Sequence, residues 1–157
     1  MQSITVTDTN LGSLRNLLAA VKRVAVRSHD HLVALEEQLK TAQVVSREQV
    51  PPDVITINTQ ARIYELDCGR KTVYTVVFPR EADVARNRIS VLAPFGSVLL
   101  GYRVGDVVAC VSSGSAKRLK VHEIVYQPEA AQRFQVNQFR NLKNRAPEPN
   151  QASKVCI

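Results

Sequence analysis

The sequence predicts an α+β fold: an antiparallel β-sheet with one short helix, preceded by a short antiparallel helical hairpin. Three observations predict it. Apolar residues step by three and four from Leu11 to Ala42, which is helical periodicity. Pro51-Pro52 then ends that period, because neither residue continues a helix. Beyond it lie short runs rich in β-branched and aromatic residues, punctuated by Gly, Pro and Asp as far as Tyr126. A chain of 157 residues with 45% apolar content suits one domain with an appended arm. The expected organisation is a helical arm over residues 1–50, a sheet domain over 51–131 and a basic, largely flexible tail over 132–157.

In the arm, Leu11, Leu14, Leu18, Val21 and Ala25 form one coiled-coil-like seam, and Leu32, Leu35, Leu39 and Ala42 form a second. Asp8 or Thr9 suits the N-cap of the first helix, and Ser28 or Asp30 that of the second. Two seams of similar length separated by a short polar stretch favour a hairpin. One long kinked helix is the alternative, since residues 26–31 contain neither Gly nor Pro.

Strands are expected at Val54–Ile57, Ala61–Leu66, Thr72–Phe78, Ile89–Leu92, Asp106–Val111 and Leu119–Tyr126. Asp67-Cys68-Gly69-Arg70 reads as a hairpin turn, and Ser112-Ser113-Gly114-Ser115 as another. Phe95 to Tyr102 suits a short helix. Glu129 to Lys143 suits a helix lying on the domain through Phe134, Val136, Phe139 and Leu142. The Pro- and Asn-containing stretch from Ala146 onward is expected to be disordered.

Several functions are excluded or demoted. Neither a phosphate-binding G-x-x-x-x-G-K-[ST] loop nor a G-x-G-x-x-G turn is present. His29 and His31 are two apart and diverge by roughly 200° on a helix, so they do not grip one metal ion. His122 alternates with apolar residues and is expected on a strand surface. Neither a catalytic residue, a cofactor nor a metal site is expected. Three widely spaced cysteines fit neither a disulfide framework nor a zinc site, and with the absence of a signal-like or membrane-spanning segment they point to the cytoplasm. The chain carries a net charge of +7, over half of it in the last 27 residues, where Arg133, Arg140, Lys143, Arg145 and Lys154 face only Glu148. That tail is a candidate nucleic-acid contact through Arg133, Arg140, Lys143 and Arg145, DNA included, or else a solvated, solubilising segment.

One segment is more specific. Ile89 to Asp106 reads as a strand, Ala93-Pro94, an apolar turn ending in Leu99-Leu100-Gly101, and Gly105-Asp106 opening the next strand. It resembles the signature of the Gre-factor C-terminal domain, and Ala-Pro followed by Leu-Leu-Gly resembles the Rnk (regulator of nucleoside diphosphate kinase) family. Val54-Ile55-Thr56-Ile57-Asn58, Thr75-Val76-Val77-Phe78-Pro79 and Tyr126-Gln127-Pro128-Glu129-Ala130-Ala131 are similar to further stretches of that family, in the same order. The matches cover roughly residues 53–131; the arm matches in plan, and the tail not at all.

The resemblance implies an FKBP-like sheet domain behind a helical arm, and bacterial RNA polymerase as partner. Gre factors insert a long arm into the secondary channel of polymerase, where two acidic tip residues help hold a Mg²⁺ ion for transcript cleavage. Here the helices are about 15–17 residues each, an arm of ~22–26 Å at about 1.5 Å per residue. Its tip, Arg27, Ser28, His29, Asp30 and His31, holds one carboxylate. Glu36 and Glu37 lie further back. Docking near the channel without cleavage, in competition with Gre factors, is therefore implied for a monomer with no membrane partner. By family position the docking residues are Leu92, Ala93 and Pro94, with Phe95, Gly96 and Leu100 supporting the loop. Where Gre proteins can carry an acidic residue two places before this proline, Leu92 stands. The alternatives are a cleavage-competent elongation factor and an FKBP-like prolyl isomerase; the latter suits a chain with no Trp and 5% aromatic residues poorly.

Overall fold

A computed structural model describes residues 3–24, 30–112 and 114–144. Strand β1 (Thr5–Thr7) leads into helix α1 (Asp8–Val24), followed by α2 (Asp30–Lys40) and β2 (Gln43–Val45). Then come β3 (Gln60–Glu65), β4 (Arg70–Val77), β5 (Arg88–Ser90), α3 (Pro94–Leu99), β6 (Val107–Ser112), β7 (Ser115–Tyr126) and α4 (Pro128–Asn144). The class is α+β, with a five-stranded sheet in the order β5-β4-β3-β7-β6 and a two-stranded sheet of β1 and β2.

The helical spacing read from the sequence buries Leu11, Leu14 and Leu18 of α1 and Leu35 and Leu39 of α2. These side chains join Ile55, Ile63, Val76, Leu99, Leu119 and Val121 in a single buried cluster. The helices and the sheet thus share one core. Lys22 bonds Glu36 across the two helices, and Leu18 and Leu39 line the same cleft. The N-cap oxygen of α1 is Thr7 Oγ1, which accepts from Asn10 N at 3.1 Å, so the cap falls one residue ahead of Asp8. Asp30 opens α2; Ser28 lies outside the described residues.

Two short strands escaped the sequence reading. Thr5–Thr7 pairs in parallel with Gln43–Val45 and frames the two helices. At three residues each, they are too short to show alternation. Conversely, Val54–Ile57 is not a strand: it is a fully buried connection with a single bridge from Val54 to Arg103. The reason is local. Thr59 Oγ1 accepts from Thr56 N at 3.0 Å, and Asn58 takes a left-handed φ of 67°, so the chain turns before a ladder can form. Ile55 instead receives the Gly101 N–H at 2.8 Å and donates to Tyr102 O at 2.9 Å. The sheet also departs from purely antiparallel order, since β5 runs parallel to β4; the two 3₁₀ turns at Pro79–Glu81 and Val84–Arg86 carry the chain across to make that possible. His122 is exposed.

Residues 126–131 earn their place by tethering. Gln127 is 3% exposed, and its Nε2 donates to Pro51 O and Val54 O, both at 2.8 Å. Pro128 starts α4, where its missing N–H is no loss. The carboxylate of Glu129, also buried, accepts from Thr56 Oγ1 at 2.8 Å. Arg133 completes the clamp by donating to Glu48 O at 3.0 Å and Val50 O at 2.6 Å. Expected anchor Phe134 is instead 72% exposed, and the start of α4 is held by this polar clamp. The side chains of Val136, Phe139 and Leu142 lie outside the described residues. Replacing Gln127 with Leu leaves the buried Val54 O without its donor, while Pro51 O keeps a longer bond from Val54 N at 3.3 Å, and is expected to cost about 2 kcal/mol, measured as a shift of the urea midpoint at constant m-value. An unchanged midpoint contradicts the clamp.

Candidate partner-docking site

Strand β5 ends at Ser90, and the backbone then needs partners for the groups it exposes. Val91 N donates to Val77 O at 2.8 Å, Leu92 N to Ser90 Oγ at 3.1 Å and Ala93 N to Ser90 O at 3.0 Å. Ala93 is extended (φ −70°, ψ 151°), as the residue before a proline tends to be. Pro94 opens α3, whose first turn closes with Ser97 N donating to Ala93 O at 2.8 Å and Ser97 Oγ to Pro94 O at 3.0 Å. The loop is thereby fixed at both ends.

Its faces differ. Leu92, Ala93, Pro94 and Phe95 are half-exposed, whereas Gly96 and Leu100 are buried. Phe95 packs against Tyr74 of β4 with ring centroids 4.8 Å apart and planes tilted by 57°. Gly96 is required by space: a Cβ there would overlap the Ser90 carbonyl and come within 3.2 Å of Ile89 Cγ2. Among the six residues singled out from the sequence, a docked partner can therefore touch Leu92 to Phe95, and Gly96 and Leu100 support them from inside.

The arm and this loop meet. His31 Nε2 lies 2.9 Å from Leu92 O, which makes that nitrogen the donor. Asp30 is exposed beside it, while Arg27, Ser28 and His29 lie outside the described residues. His31 and Leu92 are 61 residues apart in sequence, so no local signal connects them. Further along α2, Glu36 is bonded to Lys22, and that ammonium holds its carboxyl below the ordinary glutamate range. Glu37 is paired to Lys40 at 2.7 Å, and the carboxylate pushes the lysine up.

Other sequence candidates stand apart from this loop. Arg133 is committed to the two carbonyls of the clamp, Arg140 is exposed on α4, and Lys143 falls in α4 without a described side chain. Arg145 lies outside the described residues. Among the described residues no cluster of three or more His, Cys, Asp or Glu side chains is placed to hold a metal, and no helix is long and apolar enough to cross a membrane.

Known proteins are similar to this chain in sequence and in fold. Residues 50–126, from the end of the helical segment to the end of β7, match the family described as "Transcription elongation factor, GreA/GreB, C-term". The chain is 41% identical over 99 residues to the regulator of nucleoside diphosphate kinase of Escherichia coli K12, a match spanning 62% of this chain and 73% of that protein. It is 36% identical over 93 residues to transcription elongation factor GreA of Thermoanaerobacter pseudethanolicus, covering 59% of each. In three dimensions it is similar to a prokaryotic transcription elongation factor GreA/GreB from Nitrosomonas europaea, with a TM-score of 0.66 and 30% identity over 80% of this chain and all of that one. With residues 50–126 matching the Gre C-terminal family and 41% identity to a regulator of nucleoside diphosphate kinase of which 73% is covered, the chain belongs to the Rnk (regulator of nucleoside diphosphate kinase) family, related to the Gre factors.

Proposed function

We propose that this protein is a transcription regulator that binds bacterial RNA polymerase near the secondary channel and competes with Gre-type factors without stimulating transcript cleavage. The observation that carries this reading is the presentation of Leu92 to Phe95. These are half-exposed apolar residues on a loop fixed at both ends, within the part of the chain that matches the Gre C-terminal family. A small, rigid apolar patch is what a partner can bury with little ordering cost.

Lack of cleavage follows from reach and charge. In this reading α1 and α2 form an antiparallel hairpin, because Lys22 and Glu36 are bonded, whereas one continuous helix would hold them about 21 Å apart at about 1.5 Å per residue. With 17 and 11 residues, the two helices extend only about 25 Å and about 16 Å. Asp30 is the one carboxylate near the tip, and Glu36 and Glu37 are held by lysines. The sheet is read as FKBP-like, serving as a docking body and not as an isomerase.

Purified protein is expected to co-elute with core RNA polymerase, and Pro94→Asp to weaken that binding at least tenfold, since it puts a charge in the middle of an apolar contact. Failure of the unaltered protein to co-elute would sink polymerase binding; equal binding by the variant would sink this docking surface. In a backtracked-complex assay the protein is expected to slow Gre-stimulated cleavage and to release no cleavage product alone.

A further inference from the structure

The five-stranded sheet has one face under the helices and one face open. Ala61, Ile63, Leu119 and Val121 point into the buried cluster; the alternate residues of the same strands point away from it. On that outer face Lys71 of β4, Tyr64 of β3, Lys120 of β7 and Val107 of β6 stand in one row across four strands. Four residues back along β3, Gln60 pairs with Tyr126 of β7, which sets the two tyrosines about 13 Å apart along the strand. Arg62 lies between them.

An open antiparallel face is ordinarily polar, so solvation alone accounts for charge on it. It does not account for the sign and the aromatics. Arg62, Lys71, Arg118 and Lys120 share the face; Arg62 is bonded to Glu123 and Arg118 to Asp67 of the β3–β4 turn, which leaves the two lysines as its net positive charge. Neither Lys71 nor Lys120 is in an ion pair among the described residues. Instead the Lys71 ammonium sits 5.5 Å from the centre of the Tyr64 ring, so an anion and a flat ring can be engaged side by side. Tyr126 is 46% exposed. Val107, 53% exposed, gives the row an apolar end. Cations that track a backbone and aromatic rings that stack bases are the two elements of single-strand recognition.

We propose that this outer sheet face binds single-stranded nucleic acid, with Tyr64 and Tyr126 stacking bases and Arg62, Lys71 and Lys120 pairing phosphates. The Arg62–Glu123 pair is no obstacle: it is half-exposed, and surface pairs of that kind are weak. The face contains none of the docking-loop residues, so the inference stands or falls independently of polymerase binding.

Fluorescence anisotropy of the full-length protein with a labelled mixed-sequence oligonucleotide of about ten nucleotides, a size typical of such grooves, tests it across a salt series. Lys71→Ala with Lys120→Ala is expected to weaken binding about tenfold and to flatten the slope of log K against log salt by roughly 1.4, the loss of two phosphate contacts. Tyr64→Leu is expected to weaken binding about tenfold while leaving that slope unchanged, and Tyr64→Phe to retain affinity because the ring remains. All three side chains are at least partly exposed, and an unaltered melting temperature verifies that each variant is folded. No binding up to about 0.1 mM at physiological salt, the weak limit of non-specific affinity, overturns the proposal. So does binding that survives the double lysine change but is lost on Arg140→Ala with Lys143→Ala, which assigns it to the tail. Equal affinity for duplex and single strand, indifferent to Tyr64→Leu, overturns it as well.

Discussion

Gly96→Ala is expected to lower stability by about 3 kcal/mol, the upper part of the range for overpacking a close-packed site. For a chain of this size that corresponds to a fall in melting temperature of roughly 6–12 °C. The cause is a single atom. A Cβ at this position meets the Ser90 carbonyl group, with the carbonyl carbon only 2.9 Å away, and the obstruction is backbone, so no side-chain rotation relieves it. Either α3 shifts away from β5 or the strand end moves. Both displace Leu92 to Phe95, so on the proposed docking surface polymerase co-elution is expected to weaken along with stability. A melting temperature within about a degree of the unaltered protein, well inside that expected fall, would mean that α3 packs on β5 more loosely than this geometry allows.

The second large effect is expected from Leu14→Ala, at about 3–4 kcal/mol for a fully buried leucine left as a cavity. Its interest lies in where the loss appears. Leu14 is in α1, but it packs in the same cluster as the sheet residues. All four tyrosines, Tyr64, Tyr74, Tyr102 and Tyr126, lie outside the two N-terminal helices, and the chain has no Trp. Near-ultraviolet tyrosine dichroism therefore reports on the sheet, while ellipticity at the helical band reports on both. We expect the two signals to move to the same lower denaturant midpoint. A sheet signal that keeps its original midpoint while the helical one falls would mark an arm that unfolds independently.

Much of this architecture is legible from periodicity. The seams Leu11–Leu18 and Leu35–Leu39, the hairpin strands β3/β4 and β6/β7, and the short helix after Pro94 each repeat a local pattern often enough to be read. What failed to read was short or buried without rhythm. β1 and β2 are three residues each and exist because they pair with one another. Val54–Ile57 has strand-forming side chains, yet its backbone is satisfied by Tyr102, Gly101 and Thr59, and that arrangement is invisible without the fold. Arg133 looked like part of a basic tail; two carbonyls at the end of the helical segment claim its guanidinium.

The loop after β5 divides along the same line. Ala93-Pro94, Gly96 and Leu99-Leu100-Gly101 are residue types whose backbone demands are local, so the sequence by itself determined that a strand ends, a short helix starts and the chain turns again. The family was legible too, since this loop and three further stretches resemble it in the same order along the chain. Which of them face outward was decided by tertiary packing: Gly96 and Leu100 are covered because α3 lies on the core. The same packing brought His31 to Leu92 and placed Tyr64 between two lysines on the open side of the sheet. Such meetings join residues tens of positions apart, and their energy comes from burial and pairing that exist only after the chain has collapsed around a common core.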